Sequence, residues 1–264
     1  MNRLLYAALA SLLLPTSALA DDGGAERLME TEWCLPITRL SKNLRKFEKL
    51  KPEKRDRVGP ILTYVFTLKE GELPPERLEL RDGGQTRVIP LTRKDRKMES
   101  ANLAPLVQSA RDTGEVCIID PAREGRPMKE AGYNLAFGFD IQFTDTPGTH
   151  SLEDLKDGGK DGRSHWKKMV GAMGFIMPKF DHVAVSGDDD DPPAVTALRE
   201  GEALGTLEGE FLEGARLIDL DDIEDMGAGA IRVEAADYRL TPSPDAKTVR
   251  RFMGGGDDDK GGED

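Results

Sequence analysis

The hydrophobic pattern of this chain changes period along its length, and each change marks an element. The clearest stretch is Tyr133 to Phe143. Tyr133, Leu135, Phe137, Phe139, Ile141 and Phe143 alternate there with Asn134, Ala136, Gly138, Asp140 and Gln142. Period two puts the large apolar side chains on one face of an extended chain, so the stretch predicts a half-buried β-strand whose apolar face walls a core. Ile61 to Leu68 repeats the pattern, with Leu62, Tyr64, Phe66 and Leu68 on one face. Arg77 to Arg81 and Thr86 to Leu91 flank Asp82-Gly83-Gly84-Gln85. Glycines there supply the positive φ that a tight turn needs, which predicts a β-hairpin. Glu115 to Ile119 and Asp181 to Ser186 read as short strands, and Gly205 to Leu220 and Ala230 to Leu240 as further strands broken by glycines.

Helical spacing appears in three places. Leu40, Leu44, Phe47 and Leu50 share a face, with Ser41 as a cap and Pro52 as a stop. Leu103, Leu106, Val107 and Ala110 predict a short helix that ends near Gly114. Trp166, Met169, Val170, Met173 and Met177 predict a helix from His165 that Pro178 ends, capped by Ser164 and preceded by a polar loop from Thr144 to Gly162. The fold class that follows is α+β and β-rich: antiparallel strands with two main helices.

The amino terminus changes the picture. Arg3, an apolar run from Leu4 to Leu14 too short to span a bilayer, Pro15, and Ala18-Leu19-Ala20 follow the order of a secretory signal peptide, with cleavage expected after Ala20. No later segment is apolar enough for a membrane span, so a periplasmic or secreted product is expected. Charge then divides the remainder. The net charge is −12, but residues 21–130 carry +2 and residues 131–264 carry −15. That asymmetry suggests two packed lobes. The expected organisation is a signal peptide over 1–20, a β-rich lobe with a helix and disulfide over 21–130, an acidic α+β lobe over 131–253, and a disordered Gly/Asp tail over 254–264. Asp120 to Glu130 serves as the linker. Net acidity and export both argue against a nucleic-acid partner.

Cys34 and Cys117 are the two cysteines, and in an oxidising compartment they predict one disulfide. Closing a loop of roughly 80 residues is nominally worth about 4 kcal/mol by chain entropy. Around the first helix, Lys42, Arg45, Lys46 and Lys49 form a basic face. It would suit an envelope component or an anionic polymer, or serve as a dock for the chain's own acidic half.

Three patterns bear on chemistry. Met169, Met173 and Met177 recur every four residues, and thioethers are soft ligands that suit Cu(I), although methionines at this spacing also simply fill cores. Ser164-His165-Trp166-Lys167 has the SxxK spacing that serine penicillin-binding enzymes use, where Lys helps to activate the Ser nucleophile. No KTG follows, so the match covers four residues only. Starting from Asp157, an EF-hand frame fails at Gly159 and Lys168. GxSxG, HExxH, GxGxxG and P-loop motifs are absent, and no cofactor is indicated. The expectation is an exported, soluble, non-enzymatic binding or envelope-associated protein. A hydrolase with a carboxylate or Ser164/Lys167 centre and a periplasmic copper protein are the alternatives.

Overall fold

The computed structural model describes residues 28–110, 112–127, 130–144, 148–187, 191–212 and 214–252. The signal segment, the aspartates at 188–190 and the 254–264 tail lie outside the described residues. The chain divides into two compact units. Among the described residues, one comprises 28–45 together with Pro60–Asp140; the other comprises Lys46–Gly59 and 141–252.

The first of these units opens with β1 (Glu32–Pro36) and α1 (Ile37–Glu48), whose last three residues already belong to the other unit. There follow β2 (Val58–Leu68), β3 (Arg77–Asp82), β4 (Gln85–Ile89), β5 (Leu91–Lys94), β6 (Lys97–Ser100), α2 (Ala104–Ser109), β7 (Glu115–Ile119) and β8 (Tyr133–Phe143), with Val58 and Gly59 of β2 and Ile141 to Phe143 of β8 falling in the other unit. Two four-stranded sheets result, ordered β1-β7-β3-β4 and β5-β6-β2-β8. The β3–β4 hairpin turns through Gly83 and Gly84 at φ 58° and 82°, with Asp82 opposite Gln85. Two successive positive φ values make the turn whose twist suits a two-residue hairpin, as the glycine pair predicts.

The disulfide forms as the cysteine count predicts. Cys34 and Cys117 face each other across β1 and β7 with a Cα separation of 4.0 Å, the close spacing of an antiparallel pair that shares no ladder hydrogen bonds. Beside it, Glu79 is buried and gripped from two sides. Arg77 donates to it at 2.6 Å and Arg81 at 3.0 Å, and Arg81 also reaches Glu32. These guanidinium groups hold the Glu79 carboxyl below its ordinary range.

β8 begins and ends where the alternation predicts. Phe139, Ile141 and Phe143 are buried on its apolar side, and the aromatic rings continue onto β2, with Phe137 edge-on to Tyr64 and Tyr133 edge-on to Phe66. Asp140 on the other face is buried too, so the strand is covered on both sides along its second half rather than half-exposed throughout. The segment read as a linker carries a buried ion pair. Arg123 donates to both carboxylate oxygens of Asp120 at 2.9–3.0 Å and lies over the Tyr133 ring.

The second unit contains β9 (Thr149–Ser151), α3 (Leu152–Val170), β10 (His182–Gly187), β11 (Val195–Arg199), β12 (Glu202–Leu207), β13 (Glu210–Leu212), β14 (Ala215–Asp219), α4 (Leu220–Asp225), β15 (Ala230–Val233), β16 (Tyr238–Ser243) and α5 (Ala246–Phe252). Its sheets run β12-β11-β15-β9 and β13-β14-β10-β16, and the registered neighbours in both are antiparallel. Ala246 and Val249 of α5 close a core with Ala184, Ala215 and Leu217.

α3 corrects the sequence reading. It starts at Leu152, in the stretch read as a loop, and ends at Val170, where a 3-10 turn (Gly171–Ile176) takes over. Its cap is Ser151, whose hydroxyl accepts the Asp154 amide at 3.1 Å; Ser164 lies in mid-helix. The glycines explain the misreading. A Cβ at Gly158 would sit 2.1 Å from the Phe143 ring, one at Gly159 2.3 Å from the Phe180 carbonyl oxygen, and one at Gly162 2.7 Å from Pro242. The helix forms in spite of its glycines because they let it lie against Phe143, Pro242 and Phe180 of its own unit.

Gly159→Ala therefore reverses the usual helix gain. Alanine should favour the free helix by about 1 kcal/mol. Overpacking against backbone should cost about 1–3 kcal/mol instead. Urea unfolding with an unchanged or raised midpoint would contradict the close approach.

Candidate functional site

Two arrangements in the second unit bring chemistry-bearing side chains together, and the first of them supports the second. The segment Lys46 to Arg57 runs antiparallel along α3. At one end, the Lys46 ammonium donates to the Met169 carbonyl at 3.0 Å, Phe47 packs edge-on to His165 with ring centroids 5.0 Å apart, and Lys168 reaches the Lys49 carbonyl. At the other end, Lys54 lies 3.7 Å from Asp161, and Arg57 reaches Asp154 at 3.2 Å, Asp157 at 3.3 Å and Asp161 at 4.0 Å. Asp154, Asp157, Asp161, His165 and Lys168 recur every three or four residues, so they line one stripe of the helix.

Electrostatics differ along that stripe. The Ser151 hydroxyl and the Arg57 guanidinium hold the Asp154 carboxyl below its ordinary range, and Lys160 does the same for Asp157. Asp161 goes the other way. Its side chain is only 3% exposed, and the cost of desolvating its charge outweighs the attraction of Lys54 and Arg57, so its carboxyl is pushed up. His165 is fully buried, and burial with the nearby Lys46 ammonium pushes its imidazole down to about 3, so it is neutral at physiological pH. Walled in by its neighbours, Asp161 lacks the solvent access that a substrate would need. The stripe is a lattice of ion pairs.

The second arrangement is a groove of about 390 Å³. Thr206, Leu207 and Glu208 bring the end of β12 to it, Gly209 the turn toward β13, Ile218 the strand β14, and Asp222, Asp225 and Met226 the helix α4 and its end. Leu207 and Ile218 are buried and form an apolar floor, and Met226 is 37% exposed beside them. Gly209 has φ +60°, and a Cβ there would lie 2.5 Å from the Leu217 carbonyl oxygen, so this turn requires glycine.

The short helix α4 is pinned at both ends. At its start, the Asp219 carboxylate accepts the Asp221 amide at 2.9 Å. At its end, the Arg199 guanidinium donates to the Gly227 carbonyl at 2.7 Å and the Met226 carbonyl at 2.9 Å. Lys156 of α3 adds a third tie through Glu224 at 2.5 Å. Asp222 and Asp225, three residues apart, therefore present a fixed pair of carboxylates to the groove, with Glu208 as a third. All three are exposed, and none takes part in an ion pair among the described residues.

The residues singled out in the sequence are placed as follows. Of the basic face, Lys42 is exposed, Arg45 pairs with Asp112, Lys46 is spent on the Met169 carbonyl, and Lys49 is exposed. The Ser164 hydroxyl donates to the Lys160 carbonyl at 2.8 Å within its own helix, and Lys167 is half-buried. Met169 and Met177 are both buried but lie on either side of the 3-10 turn, and the side chain of Met173 is outside the described set. The groove was not anticipated. Its only trace in the sequence is the acid-rich run Asp219 to Asp225, which carries no catalytic spacing. No family model, curated protein or solved structure matches this chain.

Neutralising two carboxylates of the stripe should have opposite effects. The folded-state value of Asp154 is depressed, so its contribution is present above an unfolded value of about 3.9 and is lost as pH falls through the folded one. The value of Asp161 is raised, so its ionisation weakens the fold as pH rises through the folded value. At pH 7, Asp154→Asn should lower stability by about 0.5 kcal/mol, the scale of a half-exposed pair. Asp161→Asn should raise the thermal midpoint, and both effects should fade below about pH 4. A lower midpoint for Asp161→Asn at pH 7 would mean that its ion pairs outweigh its burial.

Proposed function

We propose that this is an exported binding protein whose small ligand seats in the groove over Leu207, Ile218 and Met226. The groove carries this reading. Its volume of about 390 Å³ falls within the range of about 300–1,000 Å³ typical of small-molecule sites. It combines an apolar floor with a few polar groups at fixed positions, the arrangement that gives such sites both affinity and orientation. The rigid mounting of α4 supports the reading further, because a pre-formed site loses little entropy when its ligand arrives.

Export is supported by two features. The order of basic, apolar and small residues at the amino terminus is that of a secretory signal, and a disulfide suits an oxidising compartment. Among the described residues, no helix is long and apolar enough to cross a membrane.

A neutral environment-sensitive dye, N-phenyl-1-naphthylamine, should brighten on addition of the protein. Met226→Glu places a charge at the groove wall on a side chain that is already partly exposed. It should weaken dye binding about tenfold, equivalent to about 1.4 kcal/mol, without lowering the thermal midpoint. Dye binding unchanged in Met226→Glu would remove the groove as the site.

A further inference from the structure

We infer that the Cys34–Cys117 pair is a redox-gated metal site: when a dithiol opens the disulfide, the two sulfurs and the Glu115 carboxylate bind a zinc ion. This site lies in the first unit and does not rest on the groove. Three observations point to it. The first is the donor set. Cys34, Cys117 and Glu115 each offer a ligand atom, and the three atoms fall within 4.8 Å of one another, as in no other such group of His, Cys, Asp or Glu among the described residues. Thiolates and carboxylates are zinc ligands, and three of them leave the fourth tetrahedral position open to water. The mixture also selects its metal, because Cu(I) favours wholly soft sulfur sites and calcium takes oxygen alone.

The second is the mounting. β1 and β7 are registered from Glu32 opposite Ile119 to Pro36 opposite Glu115, with Cys34 opposite Cys117 between them. Glu115 and Cys117 are two apart on β7, so they share a face with Cys34. This ladder keeps the three donors together when the S–S bond opens. The released sulfurs need only swing apart to about 3.8 Å, the separation of two thiolates each about 2.3 Å from a tetrahedral zinc ion. The third is the state of Glu115. Arg81 stands opposite it on β3 but turns to Glu79 and Glu32 instead. Glu115 is exposed and takes part in no ion pair among the described residues, so its carboxylate is available beside the sulfurs.

Access suits the exchange. β1 is an edge strand and Cys34 is partly exposed, whereas Cys117 is fully buried. A thiolate of the dithiol attacks the Cys34 sulfur, and the S–S bond breaks with its electron pair leaving on Cys117. The second thiol of the reductant then displaces Cys34 and closes the reductant's own disulfide. Two electrons pass from the dithiol to the cysteine pair, and the two thiol protons end on Cys34 and Cys117. Zinc displaces both protons as it binds.

The test uses protein reduced with dithiothreitol and desalted without oxygen. It is titrated with Co(II) as a spectroscopic stand-in, then with Zn(II) against a chromophoric chelator. Reduced protein should show a thiolate-to-cobalt charge-transfer band that Zn(II) abolishes, and oxidised protein should show none. Cys34→Ser/Cys117→Ser should lose the band. Glu115→Gln should still form the disulfide but weaken Zn(II) about tenfold, equivalent to about 1.4 kcal/mol. Glu124→Gln removes the same charge from an exposed position elsewhere and should leave affinity unchanged. A reduced protein without the band, folded or unfolded by circular dichroism, overturns the inference. So does full Zn(II) affinity in Glu115→Gln, because two loose thiols would then suffice. Zn(II) held as tightly by the oxidised protein would place the ion on other groups, with the same consequence.

Discussion

The second unit depends on the contact between a cationic strap and an acidic helix stripe. From Lys46 to Arg57 the chain lies along α3, tied by Lys46 at one end and by Arg57 with Asp154, Asp157 and Asp161 at the other. Individually these pairs are weak, because most are half-exposed and water screens them. Their value lies in sharing. Arg57 is ordered once and serves three carboxylates, so the entropy of fixing its side chain is spread over the set. Between the two ends, Phe47 and His165 supply the apolar contact that a row of charges lacks. Asp161 is the strained member, buried beyond what its partners offset, and the lattice holds it in place.

α3 in turn positions the groove. Its glycines let it pack closely on Phe143 and on Pro242 of β16, and Lys156 ties down α4 through Glu224. With Asp219 and Arg199 fixing its two ends, α4 holds Asp222 and Asp225 in a set orientation. Two sets of carboxylates in this unit differ in their partners. Those on the α3 stripe pair within the unit, whereas Glu208, Asp222 and Asp225 take part in no ion pair among the described residues.

Legibility in the sequence followed the range of the interaction. The strand Tyr133 to Phe143, the β3–β4 hairpin and the disulfide were readable because alternation, a glycine pair and a cysteine count are local or compositional signals. α3 was missed at its start because Gly158, Gly159 and Gly162 resemble a loop until their contacts are known. A usable signal did precede them: Ser151 with Asp154 three residues on is close to a capping box, and Leu152, Leu155, Trp166 and Met169 keep helical register through the glycines. The basic face of α1 was readable as charge, but its use was not. Lys46 is turned inward to α3, which only the tertiary fold decides. The groove draws on β12, β14 and α4, and no single stretch of sequence contains it.

A double-mutant cycle on the strap tests this account most directly. Arg57→Met, Asp154→Asn/Asp157→Asn, and all three changes together would be compared by urea unfolding at pH 7. If the strap is held through Arg57, neutralising the two acids should cost stability in the native background and little once Arg57 is gone, with a coupling of at least about 0.5 kcal/mol. Costs that simply add, within about 0.3 kcal/mol, would show that Arg57 and the stripe act independently and that the lattice does not hold this unit together.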